Sequence, residues 1–395
     1  MRIRKLTCYA LNIPFVEEFR HSAKSRAFSD SIVVKLESDE GCTGFGEAVP
    51  RPYVTGENVE TCVEALAGRF WTNLQGRKWP DLNAKGPVLD RLAILLDGPT
   101  DPAWNPGGPA TENASPVLAW NAARCALELA LLDGLLRKAG RSLGDILPSR
   151  RKTVPYSGVI TSGSPENAAK TARHLRAFGI RTLKIKTGGP DEEAVVAAVR
   201  QAAGPEASLR IDANGAYPLL EAASRLASLA IHDIACAEQP VTRGEPRLMA
   251  ELCKAAPIPL MADESLVTLA DAAALADAGA FDFFNLRLSK CGGFGPCLKI
   301  ASLARESGVL MQLGCQVGET AILSAAGRHL AAHLDDLVWV EGSFGTLLLS
   351  EDVGRAKVQF GHGGLAPILR GPGLGVDVDE DVLRRHAVSV VERGG

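Results

Sequence analysis

From about residue 154 onward, short apolar segments alternate with alanine-rich segments of mixed polarity. The apolar segments have the length of β-strands, and the segments between them are long enough for one helix each. This alternation is typical of repeated βα units, in which helices cover a parallel sheet. Upstream, "SDSIVVKLESDEGCTGFGEAVP" predicts two strands joined by a turn at Asp39, Glu40 and Gly41, and "LAWNAARCALELALLDGLLRKAG" predicts a helix that ends at Gly140. The pattern therefore predicts a mixed α and β region followed by an α/β region.

The residues that end the apolar segments of the α/β region recur at intervals of 25 to 27 positions. They are Lys186, Asp212, Glu238, Asp263, Lys290, Cys315 and Glu341, and the same interval counted back from Lys186 reaches Ile160. Eight strands at one spacing, with helix-length connections, predict a (β/α) barrel. Barrel enzymes hold their active sites at the carboxyl ends of the strands, so the polar end residues are candidates for catalysis.

Two lysines stand on one predicted strand, in "TLKIKTG". Successive strand side chains point to opposite faces, so Lys184 and Lys186 share one face and Ile185 takes the other. Lys186 would lie on the second strand and Lys290 on the sixth, on opposite sides of the barrel mouth. Desolvation and the positive charge of Lys184 both lower the pKa of Lys186 towards the range of a base. We predict that Lys186 and Lys290 transfer protons and that Lys184 adds positive charge.

Three consecutive predicted strands end in carboxylates, at Asp212, Glu238 and Asp263. A single Asp after a strand is most often a helix N-cap. Three anions that converge on one barrel mouth repel each other unless a cation lies between them. Oxygen ligands favour a hard divalent ion, Mg²⁺ or Mn²⁺, and no histidine is placed for zinc. We predict a metal site here, supported by Asn214, that stabilises the enediolate formed when a proton α to a carboxylate is removed.

Composition and charge exclude several classes of function. The 395 residues include 43 basic and 46 acidic ones, the net charge is −3 and no basic run occurs, so we expect no nucleic-acid partner. No apolar run approaches the ~18 residues of a membrane span, and the N-terminal apolar stretch is too short for a signal peptide. We therefore expect no membrane partner and a cytoplasmic location. The nine scattered cysteines are expected to be reduced structural thiols.

Together these motifs resemble those of the enolase superfamily, and within it the muconate lactonizing enzyme subgroup. "LKIKTG" resembles the Lys-x-Lys motif, "RIDANGAY", "AEQPV" and "MADES" the three metal-ligand strand ends, "SKCGG" the sixth-strand lysine, and "GPGLGVDVDEDVL" the C-terminal segment. The resemblance implies an α/β fold, with a modified (β/α)7β barrel of the TIM type over residues 131–354. An α+β capping domain over residues 1–130, completed by residues 355–395, would close it. A small-molecule carboxylate would be the substrate, and we also expect a homo-oligomer.

The resemblance leaves the reaction open among cycloisomerases, dipeptide epimerases, N-acyl amino acid racemases and o-succinylbenzoate synthases. "KCGG" is similar to dipeptide epimerases, but their Asp-x-Asp pair on the eighth strand is replaced by Glu341-Gly342-Ser343. "VEGSFGTLLLSED" is more similar to the cycloisomerase eighth strand. A cycloisomerase of the muconate lactonizing type is the main prediction. The alternative is a racemase or epimerase of an amino acid derivative or dipeptide, or a dehydratase on the same scaffold.

Residues expected to contact the substrate come from two loops of the capping domain and from the barrel. They are Arg20, His21, Arg51 and Tyr53 on the loops, and Glu319 and Glu341 on the barrel. The four loop residues have an equally good interpretation as ordinary loop residues. Glu319 and Glu264 are also interpreted as residues that orient a lysine or cap a helix, with the cap preferred for Glu264.

Two other classes of protein fit parts of this pattern. A Schiff-base aldolase also uses a barrel lysine, which borohydride trapping with substrate would reveal, but it has no use for three metal carboxylates. A non-catalytic barrel, which failure to bind Mg²⁺ would favour, leaves both lysines and the carboxylates without a role.

Overall fold

The computed structural model of the protein describes residues 1–21, 24–82, 84–97, 120–161, 163–342 and 345–395. In these ranges the strands are β1 Ile3–Leu11, β2 Pro14–His21, β3 Lys24–Phe28, β4 Ile32–Ser38, β5 Thr43–Ala48, β6 Thr153–Pro155, β7 Gly158–Ile160, β8 Thr182–Lys186, β9 Ser208–Asp212, β10 Ile234–Glu238, β11 Leu260–Ala262, β12 Phe283–Leu286, β13 Leu310–Leu313, β14 Leu337–Val340, β15 Leu365–Pro367 and β16 Ala387–Gly394. The α-helices are α1 Val59–Ala65, α2 Trp71–Leu74, α3 Val88–Asp97, α4 Asn121–Lys138, α5 Pro165–Ala177, α6 Glu192–Ala203, α7 Leu219–Ala230, α8 Pro246–Ala255, α9 Leu269–Ala278, α10 Leu288–Cys291, α11 Phe294–Glu306, α12 Ala321–His333, α13 Gly345–Leu348 and α14 Glu380–His386.

Strands β7 to β14 form one eight-stranded parallel sheet in sequence order. A backbone hydrogen bond of 2.8 Å from Ser157 N to Val340 O links the chain just before β7 to the end of β14, so the sheet closes on itself. At least one helix follows each of the first seven strands. The predicted (β/α)7β barrel is therefore confirmed. Its strands bury apolar side chains such as Leu183, Ile185 and Ile211 against the helices.

The predicted strand ends agree with the structure for the first lysine and the carboxylates. Strands β8, β9 and β10 end at Lys186, Asp212 and Glu238, and Asp263 directly follows β11. Lys290 is different, because β12 ends at Leu286 and Lys290 lies in the short helix α10. The interval of 25 to 27 residues predicted a strand "FFNLRLSK" that ends at Lys290. The chain instead turns into a helix there, with a hydrogen bond of 2.8 Å from Cys291 N to Arg287 O.

A separate antiparallel sheet joins the two ends of the chain. Its strand order is β16, β1, β4, β5, and the two predicted strands on either side of residues 39–41 are β4 and β5. Helix α4 packs closely on this sheet, because a Cβ on Gly44 or Gly46 of β5 would clash with the backbone of α4. The proposed boundary at residue 130 falls inside α4, and the division into domains stays a prediction.

Two expectations about the chain as a whole can be compared with the described residues. No helix within the described ranges is long and apolar enough to cross a membrane. All nine cysteines lie in these ranges and are free thiols, and six of them are buried. The prediction that they are reduced and structural agrees with this placement.

Candidate active site

Five consecutive strands, β8 to β12, bring a row of alternating charges to the barrel mouth. Lys184 on β8 places its Nζ 2.8 Å from Asp212 Oδ2 and 2.8 Å from Glu238 Oε1. On the far side of Glu238, Arg287 places Nη2 3.2 Å from Glu238 Oε1 and 2.5 Å from Asp263 Oδ2. The three predicted metal carboxylates are thus neighbours, and two cations link them. Four of the five side chains are at most 3% exposed and that of Arg287 is 12% exposed, so the charges depend on each other for compensation.

The electrostatics of this row keep Lys184 charged. Burial alone would lower the pKa of Lys184, but the carboxylates of Asp212, Glu238 and Glu341 outweigh burial and raise this pKa well above its usual value. Burial opposes ionisation of Asp212 as well, yet Lys184 and Lys186 hold the pKa of its carboxyl below the usual range. The pKa of Glu238, in contrast, is raised because burial dominates. The raised pKa keeps Lys184 positively charged, and its part in a reaction stays a prediction.

Lys186 lies beside this row and faces the cavity above it. Its Nζ donates to Asp212 Oδ2 at 2.6 Å and to Asn214 Oδ1 at 2.7 Å. Asn214 also donates from Nδ2 to Glu264 Oε1 at 3.0 Å. Asn214 thus links Lys186 and Glu264, and its support of a metal site stays a prediction.

The interpretation of Glu264 as a helix cap is wrong. Its carboxylate lines the cavity and bonds to Asn214, whereas the following helix α9 is capped by Thr268, whose side chain accepts from Asp271 N. Burial, together with the negative charges of Asp263 and Asp212, raises the pKa of Glu264 to about 7. The acidic pair in "MADES" therefore places two carboxylates at the site.

Lys290 occupies a different environment from Lys186. Its side chain is 0% exposed, against 10% for Lys186. Its Nζ donates to Asp263 O at 2.7 Å, to Asp263 Oδ1 at 2.9 Å and to Asn285 O at 2.7 Å. An ammonium group has three N–H donors, so these three acceptors match its full capacity. The structure places Lys290 on the Asp263 side of the row and Lys186 on the Asp212 side.

A cavity of about 450 Å³ opens above the row of charges. Its described lining includes Lys184, Lys186, Asn214, Glu264, Arg287 and Glu341 from the barrel, and Val16, Glu17, Arg26, Arg51 and Tyr53 from the N-terminal region. Lys290 is not among the described lining residues. The two sets face each other across the space in which a substrate would bind.

The substrate-binding predictions for the N-terminal region have mixed outcomes. Tyr53 lines the cavity and is 38% exposed. Arg51 also lines it, but it is 1% exposed and holds an ion pair of 2.8 Å with Asp30 and a hydrogen bond of 2.5 Å to Val317 O. Arg20 and His21 belong to β2, but their side chains lie outside the described residues. Contact of all four with a substrate stays a prediction.

Two barrel glutamates predicted to bind substrate have different surroundings. Glu341 lines the cavity and pairs with Lys184 Nζ at 3.3 Å and with Arg210 Nη2 at 2.8 Å. Glu319 faces a small neighbouring void instead, where it accepts from Gln316 N at 3.1 Å and from Ser324 Oγ at 2.9 Å. Burial raises the pKa of Glu319 to about 7.

The sequence reasoning missed several residues of the site, of which Arg210 and Arg287 carry the most charge. Arg210 stands two positions before Asp212 on β9, and Arg287 stands two positions after Asn285 of β12. Strand residues two positions apart share one face, as Lys184 and Lys186 do. By the same rule Arg210 shares a face with Asp212, and Arg287 with Asn285. That signal was present in "SLRID" and "NLRLSK" but was applied to one strand only.

The donor set fits a hard divalent cation. Asp212, Glu238 and Asp263 offer carboxylate oxygens, and Glu264 adds a buried Oε2 that accepts no hydrogen bond from the described residues. Oxygen donors of this kind suit Mg²⁺ or Mn²⁺. Among the described residues, however, no three His, Cys, Asp or Glu side chains are close enough together to bind one metal ion as they stand. Lys184 and Arg287 lie between the carboxylates in this arrangement.

Comparison with known proteins identifies a family. The similar proteins include racemases, epimerases and cycloisomerases. The model of the family described as enolase C-terminal domain-like matches residues 167–382. The structure of an N-succinyl Arg/Lys racemase from Bacillus cereus is similar over 100% of both chains, with 27% identity and a TM-score of 0.87. Muconate cycloisomerase 1 of Rhodococcus opacus is 28% identical over 95% of each chain. A dipeptide epimerase from Enterococcus faecalis, solved with Mg and the dipeptide L-Leu-L-Tyr, is 28% identical, with a TM-score of 0.81 over 95% of this chain and 100% of that one.

The chain belongs to the enolase superfamily, in the muconate lactonizing enzyme subgroup, as its motifs indicated. It is an enzyme of the isomerase type that this subgroup contains, and its fold is a TIM-like barrel with a capping domain. Racemases, epimerases and cycloisomerases are similar to it at comparable identity, so the comparisons do not favour one of these reactions.

Proposed function

We propose that this enzyme interconverts an unsaturated dicarboxylate and its lactone, with proton transfer at the carbon α to a carboxylate. One observation carries the choice among the reactions of the subgroup. Lys186 faces the cavity and has two acceptors for its three N–H groups among the described residues, whereas Lys290 is buried with three. One lysine is thus available to the substrate and the other is engaged. This asymmetry supports one-sided proton transfer better than a two-base racemization.

Each residue has a role in the proposed reaction. In the ring-opening direction Lys186 removes the α-proton while the ring C–O bond breaks, and in ring closure it returns that proton, so atoms balance without another reactant. Mg²⁺ bound by Asp212, Glu238 and Asp263 would supply positive charge that stabilises the enediolate form of the substrate carboxylate. Lys184 and Lys290 contribute fixed positive charge on the two sides of this carboxylate group.

The charges around the cavity support a substrate without a free ammonium group near the eighth strand. Glu341 is the carboxylate at the end of this strand, and Lys184 and Arg210 already pair with it. A dipeptide would leave its ammonium group among these cations, at a cost in free energy. A dicarboxylate would instead find Arg26 from the N-terminal region in the cavity lining.

A second candidate is racemization of an N-acylated amino acid. The similarity to an N-succinyl Arg/Lys racemase extends over the whole chain, and N-acylation removes the ammonium group that the eighth strand does not accommodate. Glu17 and Arg26 both line the cavity, so opposite charges are available there for a basic side chain and for an acyl carboxylate.

One experiment separates these candidates. The enzyme is incubated in D₂O with Mg²⁺ and either cis,cis-muconate or N-succinyl-L-arginine, and NMR follows deuterium at the α-carbon. We expect a lactone that carries deuterium on one face only. Deuterium incorporation with inversion of N-succinyl-L-arginine, and no reaction of muconate, would favour the racemase. No deuterium in either compound would contradict both proposals.

A further inference from the structure

Helix α4 of the N-terminal region is buried along its length but carries polar residues on one face. Every residue from Asn121 to Leu136 is buried. Asn121, Arg124 and Glu128 stand at positions i, i+3 and i+7, which places them on the same side of a helix. Burial of such groups costs free energy unless they find partners. The hydrogen-bond partners of these three side chains therefore show which part of the protein this helix face binds.

All three side chains contact the main chain of one segment, residues 290–295. Asn121 Nδ2 donates to Lys290 O at 2.7 Å, and Arg124 Nη1 donates to Gly292 O at 2.6 Å. Glu128 accepts from Phe294 N and, at 3.3 Å, from Gly295 N. The helix face thus binds the segment that begins with Lys290 at four backbone positions.

The shape of this segment fits the helix face closely. Gly292 and Gly293 have φ angles of 98° and 110°, in the region that favours glycine. A Cβ on Gly293 would also clash with the carboxylate of Glu128. The double glycine of "KCGG" therefore allows both the turn and the close approach of Glu128.

The segment has local hydrogen bonds, since Cys291 N donates to Arg287 O at 2.8 Å and Gly292 N and Gly293 N donate to Leu288 O at 2.9 Å. Helix α10 has four residues and ends at Cys291, directly after Lys290. On its other side, Ser289 Oγ accepts a hydrogen bond of 2.9 Å from Val49 N, which again belongs to the N-terminal region. Contacts from the N-terminal region thus add to the local hydrogen bonds of the backbone that carries Lys290.

We propose that Asn121, Arg124 and Glu128 are positioning residues for Lys290. They hold the main chain at residues 290–295, so that the ammonium group of Lys290 stays beside Asp263 and on its side of the substrate. The inference rests on the proposed function only in giving Lys290 a part in the reaction. The hold on the segment is a property of the folded chain and can be measured without a substrate.

Two variants remove or weaken hydrogen bonds between α4 and residues 290–295, and one variant on the same helix serves as the control. Asn121→Leu keeps the side-chain shape and loses the donors to Lys290 O and to Val267 O. Glu128→Gln keeps the size and replaces one acceptor oxygen by an NH₂ donor. Asp133→Asn is the matched control, because Asp133 is 1% exposed on α4 but accepts from Phe45 N and Leu374 N. Circular dichroism and thermal melting establish that each variant is folded.

Amide hydrogen exchange, measured by mass spectrometry in the full-length protein, tests the hold directly. We expect exchange in residues 288–297 to accelerate by about tenfold or more in Asn121→Leu and Glu128→Gln. Exchange in residues 182–188, which contain Lys186, should stay as in the parent protein, and Asp133→Asn should spare both segments. Equal acceleration of both segments, or none in 288–297, would overturn the proposal. If Asn121→Leu does not fold, hydrogen exchange in Glu128→Gln alone tests the proposal.

Kinetics with cis,cis-muconate and Mg²⁺ add the functional readout. We expect kcat to fall by about tenfold or more in Asn121→Leu, with KM within about threefold, because a misplaced Lys290 weakens stabilisation of the transition state more than binding. A change in KM alone would contradict the positioning role. If the parent enzyme does not turn over muconate, the proposed function fails, and hydrogen exchange still decides the hold on residues 290–295.

Discussion

The two lysine segments of the barrel are held in place by different parts of the molecule. Barrel residues hold the segment after Lys186: Thr187 N donates to Asp212 O at 2.9 Å, and Gly188 N donates to Glu192 Oε2 at 2.8 Å. Residues of the N-terminal region hold the segment around Lys290, through α4 and Val49. The first lysine is thus positioned by the elements next to it in the barrel. The segment of the second has local hydrogen bonds and, in addition, contacts with residues more than 160 positions away in sequence.

The different surroundings of Lys186 and Lys290 match two different roles in the site. A group that transfers protons has to face the substrate, and Lys186 lines the cavity from a strand end. A fixed cation has to be neutralised and immobile, and Lys290 is fully buried among three acceptors. The predictions below test this division, from the largest expected effect to the smallest.

Loss of the metal should abolish turnover, whichever lysine transfers the proton. EDTA removes the metal, and Asp212→Asn removes one of its proposed ligands. Proton abstraction α to a carboxylate requires the positive charge of the metal, so we expect turnover to fall by about 10³-fold or more in both cases. Turnover of muconate and binding of Mn²⁺, followed by electron paramagnetic resonance, are the measurements. Activity that survives exhaustive chelation would contradict the metal site, and with it the basis for comparing the two lysines.

Removal of the anion that pairs with Arg210, and more weakly with Lys184, should destabilise the folded protein. Glu341→Gln leaves the fully buried Arg210 without its anion, at 2.8 Å in the parent protein, so the free energy of unfolding should fall by about 3 kcal/mol. Arg305→Met is the control, because its ion pair with Asp336 is half-exposed and worth about 1 kcal/mol or less. Urea unfolding measures both values. A loss in Glu341→Gln no larger than that in the control would show that this pair is dispensable.

The sequence predicted the Lys186 side of the site better than the Lys290 side. Periods of two within strands and about 26 between strands are local patterns, and they located Lys184, Lys186 and the three carboxylates. The same local pattern extended the strand to Lys290, because nothing in "FFNLRLSK" shows that helix α4 binds the following turn. Asn121 and Glu128 looked like ordinary helix residues, since their partners lie far away in sequence. Contacts of this kind follow from the tertiary fold and have no periodicity to detect.

A smaller effect is expected where the N-terminal region contacts helix α12. Glu47 of β5 accepts from Thr320 N at 2.8 Å and from Leu323 N at 2.9 Å, and burial raises the pKa of its carboxyl to about 8. The folded state then keeps a proton that the unfolded state releases above its ordinary pKa of 4.5. Stability should fall as pH rises from 4.5 to about 8, by up to roughly 1.4 kcal/mol per pH unit from this group.

Glu47→Gln tests this dependence, because glutamine keeps an acceptor and does not titrate. Its free energy of unfolding should lose this part of the pH slope between pH 4.5 and 8, relative to the parent protein, in urea titrations at several pH values. Parallel pH profiles for the two proteins would mean that Glu47 is already ionised in the folded state. Turnover should change less than in any site variant, because Glu47 lies outside the cavity lining described for the chain.

The division between Lys186 and Lys290 is tested most directly by deuterium exchange in Lys186→Met and Lys290→Met. Each protein is incubated with Mg²⁺ in D₂O, either with muconolactone or with the two enantiomers of N-succinyl-arginine, and NMR follows the α-carbon. We predict that Lys186→Met loses exchange by about 10³-fold or more, while Lys290→Met still exchanges the α-proton of the lactone on one face at a reduced rate. Exchange of opposite enantiomers in the two variants would identify a two-base racemase and contradict the account.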